Sequence, residues 1–180
     1  MVPEAASDVL NVEIYVLSPL RDRAHVTGFV EKYGNGKALA EDFTFYVPGG
    51  DAVIVEDMLE AISFATEEKQ ALGAMYLDSD KLPRPTLFFT KDEQVIYGLQ
   101  LTGHGPCPSV EEIEKALLQL ATDYSAKSGY ALQESPPSYE DSAAFLTTGK
   151  TAGLPCITDG KLNPLPRKKP YIGPVIMTWG

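Results

Sequence analysis

The side chains that could do chemistry in this chain are few, and one pair stands closest together. His104-Gly105-Pro106-Cys107 sets an imidazole three residues from a thiol. At that spacing the ring can act as the base that generates a thiolate nucleophile, or both groups can ligate zinc. A four-ligand zinc site built on the pair would also need His25 and Cys156, which uses every histidine and cysteine in the sequence. Pro106 and Pro108 flank the thiol as loop punctuation. A small cysteine-dependent enzyme using Cys107 and His104 is therefore an alternative reading, and no cofactor or metal is expected. No GxSxG elbow, GxxxxGK[ST] phosphate loop or post-strand GxGxxG occurs. Thr148-Gly149-Lys150-Thr151 carries the letters GKT, but the required earlier glycine is Ala144. The adjacent carboxylates Glu67-Glu68 and Glu111-Glu112 fall on solvated helix faces, where nothing separates an acid from a base. Pro136-Pro137-Ser138-Tyr139 has the PPxY letters that WW domains read as polyproline II, which gives an adaptor reading. The competing explanation is structural: the two prolines halt a strand and Tyr139 packs on the body.

Elements must position any such group, and the period of the apolar residues predicts them. Val12, Ile14 and Val16 alternate with Glu13 and Tyr15, as in a half-buried strand that ends at Ser18-Pro19. Asp22 is placed to cap a helix with Val26, Phe29, Val30 and Tyr33 inward and Gly34 as its stop. Phe43, Phe45 and Val47 predict a second strand, broken by Pro48-Gly49-Gly50. Asp51 is then expected to cap a helix whose stripe is Val55, Met58, Leu59, Ile62 and Ala65. A third strand is expected near 74–77, and residues 86–90 and 95–101 read as a hairpin joined by Lys91-Asp92-Glu93-Gln94. The unbroken apolar run Leu87-Phe88-Phe89 predicts a central strand covered on both faces. Ser109 and Glu112 form a capping box for a helix closed by Gly129, residues 130–132 read as a short final strand, and residues 133–146 as a surface helix or extended wrap.

This order predicts an α+β fold: a single mixed, mostly antiparallel sheet with helices packed mainly on one face, over residues 1–149. Residues 150–180 hold five prolines and read as a basic, Pro-rich C-terminal tail, of which 171–179 is apolar enough to dock as an edge strand. With 180 residues, of which 44% are hydrophobic, the chain has material for one real core. No run approaches the roughly 18 apolar residues of a membrane span, and the start lacks a basic and an apolar region of the kind that directs export. A cytoplasmic protein is expected. The net charge of −10 divides unevenly, with +4 on residues 150–180 and −14 on the rest. Such a body repels phosphate, which argues against a nucleic-acid or membrane partner and suits a basic protein steered by complementary potential.

The stretch Ile14-Tyr15-Val16-Leu17-Ser18, then Arg21-Asp22-Arg23 and a helix containing Phe29, begins a pattern that continues in Leu87-Phe88-Phe89-Thr90-Lys91-Asp92 and Ile96-Tyr97-Gly98-Leu99. Gly129-Tyr130 before Glu134-Ser135-Pro136-Pro137 and Phe145 completes it. Over residues 12–146 this resembles small immunity proteins of bacterial polymorphic-toxin, contact-dependent or type VI secretion systems. The resemblance implies a non-enzymatic protein that binds and neutralises a cognate toxin in the cytoplasm. Glu93-Gln94 stands where a hairpin glycine would be expected, and the basic tail has no counterpart in the pattern. Because loops on a rigid scaffold carry binding, the acidic loops supply the interface candidates: Asp78, Asp80, Asp92, Glu93, Glu134, Glu140 and Asp141.

Overall fold

The computed structural model describes residues 12–102, 108–133, 136–152, 156–158 and 161–163. Its first half runs β1 (Val12–Ser18), α1 (Arg23–Tyr33), β2 (Phe43–Tyr46), β3 (Ala52–Val55), α2 (Met58–Glu67), β4 (Leu72–Tyr76). There follow β5 (Arg84–Phe89), β6 (Val95–Gln100), α3 (Val110–Asp123), β7 (Ser128–Gln133), α4 (Ser142–Ala152), β8 (Cys156–Thr158) and β9 (Lys161–Asn163). The strands form one sheet in the order β3-β2-β4-β5-β6-β1-β7-β8-β9, and every described pairing is antiparallel rather than mixed. The α+β class follows from the sequence as expected.

Alternation along the strands builds two hydrophobic layers. Val12, Ile14, Val16, Phe45, Met75, Leu87, Phe89 and Tyr97 point to the face where α1, α2 and α3 pack. Phe29 of α1 lies at the centre of that layer, with its ring 4.9 Å from Tyr97 and 5.4 Å from Tyr124. The opposite face carries Tyr15, Phe88, Ile96, Tyr130 and Phe145. Tyr15 is thus 3% exposed and not outward-facing: the strand is central, so both of its faces are dry. Leu87, Phe88 and Phe89 are all fully buried, as a central strand requires.

Helix caps form where short polar side chains meet free backbone N–H groups. Asp22 accepts from the His25 N–H and Ser109 from the Glu112 N–H, as expected. Asp51 does not cap α2. Pro48-Gly49-Gly50 turns the chain back into β3, with both glycines at positive φ (102° and 90°), and Asp57 is the cap, accepting from the Glu60 N–H. The run Ala52–Val55 is β-branched enough to pair with β2 before a helix can start. Helix α3 stops at Tyr124, with Ser125 at φ 51°, five residues before the expected stop. Gly129 lies in β7, where an added Cβ would stand 2.7 Å from the Tyr15 carbonyl oxygen.

The boundary expected at residues 149/150 is crossed. Helix α4 runs to Ala152, and β8 pairs with β7 and then with β9, so the sheet continues to Asn163. Two short strands are invisible to a reading that weighs prolines and period alone. The stretch 171–179 lies outside the described residues.

Candidate functional site

Arg21, which the sequence marks only within Arg21-Asp22-Arg23, makes five side-chain hydrogen bonds. It is 2% exposed, and its five N–H donors reach five carbonyls: Ala65 and Glu68 at the C-terminal end of α2, Ala71 before β4, and Thr90 and Gln94 in the β5–β6 turn. The planar guanidinium suits such a fork, and helix-terminal carbonyls favour a cation. Its carbon Cζ also stands 5.1 Å from the centre of the Phe89 ring. Burial lowers its pKa to about 10 against the opposing pull of Glu93 and Asp92, so it is cationic at neutral pH. Arg21 therefore clamps α2 to the turn that presents the acidic candidates.

That turn docks on the start of α4. Asp92 accepts hydrogen bonds from Thr90 Oγ1 (2.6 Å) and from the Ser142 N–H (3.0 Å), while Asp141 accepts from the Ala144 N–H (2.8 Å) as the helix cap. Lys91 Nζ stands 2.8 Å from Glu140 and 4.0 Å from Asp141. Burial would raise the Asp92 carboxyl, but its hydrogen bonds from Thr90 and Ser142 outweigh this and leave its pKa lowered. Glu93 occupies the turn at φ 71°, where a glycine would sit without strain. Asp92, Glu93, Glu140 and Asp141 are thus brought together, but Asp92 and Asp141 serve the scaffold and Glu140 is paired with Lys91.

Asp78 and Asp80 belong elsewhere. Asn35 Nδ2 donates to both, at 3.4 and 3.0 Å, which ties the loop after β4 to the stop of α1. They stand at the opposite end of β5 from Asp92, about 20 Å away at the rise of a six-residue strand. The acidic candidates are therefore two patches. Glu134, His104 and Cys107 lie outside the described residues. His25 Nδ1 lies 2.7 Å from the Asp22 carboxylate at the start of α1. Among the described residues no group of three or more histidine, cysteine or carboxylate side chains could hold a metal ion.

The remaining motifs are taken up by packing. Tyr139 stands on Phe88 with ring centres 4.8 Å apart, and Pro137 is buried, which matches the structural explanation of PPxY. Gly149 lies within α4, where an added Cβ would stand 2.5 Å from the Tyr130 ring, so the GKT letters mark a close helix-to-sheet contact.

Among the described residues, no helix covers one end of the second sheet face. Helix α4 covers β7 and its neighbours on the second face, but over β3, β2 and β4 the same face shows Ile54 (64% exposed), Tyr46 (50%) and Tyr76 (45%). Register puts these three on one side of the sheet, and Tyr76 meets Phe88 edge-on. Beside them runs a groove of about 650 Å³, lined by Tyr46, Pro48, Leu72, Lys91, Asp92 and Asp141. Exposed aromatic and aliphatic groups next to carboxylates match the composition that protein interfaces ordinarily have. The sequence reading missed this surface. Its signal was present in the stretch from Ala38 to Glu68, which holds eight acidic residues and no lysine or arginine. Comparison with family models, with curated proteins and with solved structures returns no match.

Among the described residues no helix is long and apolar enough to cross a membrane.

Proposed function

We propose that this protein is a non-catalytic immunity protein of a bacterial toxin system, which binds a basic protein toxin in the cytoplasm and blocks its active site or substrate path. The observation that carries the binding class is the uncovered sheet face with Tyr46, Ile54 and Tyr76, set in an acidic stretch. Aromatic anchors supply contact area at low entropic cost, and the surrounding carboxylates speed encounter with a cation-rich partner. The immunity role itself rests on the sequence resemblance over residues 12–146.

The test is a pull-down from the native cell at low and then moderate salt, followed by an activity assay of the captured protein. One stoichiometric basic protein, inhibited at one-to-one ratio and released by Tyr46→Ser with Ile54→Ser, is the expected result. Capture of a protein whose activity is unchanged on binding would contradict the neutralising role. Equal capture by the double variant would contradict the assigned face.

A further inference from the structure

We infer that β3 is a docking edge, and that the partner adds a strand to it whose ends are basic. The inference rests on the partner-binding reading and gives it a mode. Strand β3 ends the sheet, and its register with β2 pairs Val55 with Phe43, Ile54 with Thr44, Val53 with Phe45 and Ala52 with Tyr46. The Val47 N–H donates to the Asp51 carbonyl at 3.0 Å, which marks that pair as hydrogen-bonded. Alternation then gives Val53 and Val55 to β2 and turns the N–H and C=O groups of Ala52 and Ile54 toward the open edge. Among the described residues no strand meets them. Ile54, the most exposed of the large apolar side chains among the described residues, stands at this edge.

An apolar edge invites any strand, and charge decides which one. The edge is flanked by Asp51 before it and by Glu56 and Asp57 after it, with Glu41 and Asp42 preceding the neighbouring β2. If two copies paired antiparallel about Ile54, whose backbone groups face the open edge, Ile54 would face Ile54 of the other copy and Asp51 would face its Asp57. Like charges directly opposite are destabilising, and this would occur twice in a two-fold pair. A strand with Lys or Arg at both ends meets the same positions with opposite charge. The edge is thus guarded against its own copy and open to a basic strand.

The experiment titrates the ¹⁵N-labelled full chain with the blocked peptide acetyl-Lys-Thr-Val-Thr-Val-Lys-amide, and in parallel with the same peptide carrying Glu at both ends. Saturable amide shifts centred on Ala52 and Ile54, at least tenfold weaker affinity for the Glu-ended peptide, and reversal of that preference in Asp51→Lys with Glu56→Lys are expected. Both changes are on exposed side chains, so the fold is kept and the backbone spectrum checks it. Shifts located elsewhere, no shifts at millimolar peptide, or an unchanged preference in the doubly reversed variant would overturn the inference. Ala52 and Ile54 amides that are protected in the free chain and exchange freely once residues 164–180 are removed would assign the edge to the chain's own tail, and would also overturn it. A captured toxin that leaves these two amides unprotected would refute the mode and leave the function standing. Peptide binding with no toxin recovered would leave the edge standing and refute the function.

Discussion

Arg21 is the residue whose loss the fold should feel most. Five carbonyls from three separate segments depend on one guanidinium, and a buried carbonyl left without a donor costs about 1–3 kcal/mol. Lysine offers three donors from a single point and cannot span the same fork. Arg21→Lys is therefore expected to lower unfolding free energy by about 3 kcal/mol, read from urea denaturation; a loss below about 0.5 kcal/mol would show that the carbonyls find other partners. Glu93 predicts the opposite sign. A side chain held at φ 71° costs about 1–2 kcal/mol, and glycine returns part of that to a more flexible unfolded chain. Glu93→Gly should raise stability by about 0.5–1 kcal/mol, visible as a higher urea midpoint at unchanged slope. Gly149→Ala weighs two effects against each other. Alanine gains about 1 kcal/mol in a helix, but its methyl meets a Tyr130 ring stacked on Phe145 at 4.4 Å and hydrogen-bonded through its hydroxyl to the Phe145 carbonyl. The ring cannot yield, so overpacking of about 1–3 kcal/mol wins and the thermal midpoint should fall.

The junction between the β5–β6 turn and α4 has a pH signature. The Asp92 carboxylate is held below its ordinary pKa, so its contribution is present above the unfolded value of about 4 and is lost as pH falls through the folded one. Asp92→Asn should be less stable than the parent at pH 7, and the two should converge below about pH 3. Urea melts at pH 7, 5 and 3 check this, and a constant gap across them would place the effect in packing instead of ionisation. Elements differ in how plainly the sequence announces them. The β5–β6 hairpin and the cap of α3 were legible because burial on both faces leaves a continuous apolar run and because a capping box is local. Strand β3 was not, since Val55 and Met58 fit a helical stripe as well as a strand, and pairing with β2 decided between them. Tyr15 was misplaced for a related reason: alternation marks the faces of a strand but does not say whether a second layer covers the outer one.

For the whole molecule, the net charge was legible in the sequence and the structural use of its individual acidic residues was not. Asp92, Asp141, Asp78 and Asp80 hold turns and helix starts together, a use that reading acidic letters in loops cannot distinguish from solvation. The stretch without a cation, Ala38 to Glu68, surrounds the open face and edge, and it was readable all along. Its charges are also expected to set the association state. Changing Asp51→Lys alone would put a lysine opposite Asp57 at both ends of a two-fold β3 pair, so this variant is expected to form a reversible dimer by sedimentation while the parent remains monomeric. A variant that stays monomeric at millimolar concentration would show that charge is not what keeps the edges apart. The central claim, neutralisation through the acidic, apolar face, is tested most directly by adding the protein to its captured partner and following that partner's activity. Full inhibition at one equivalent, weakened by added salt and by Tyr46→Ser with Ile54→Ser, is the predicted result. Undiminished activity with the complex fully formed would contradict it.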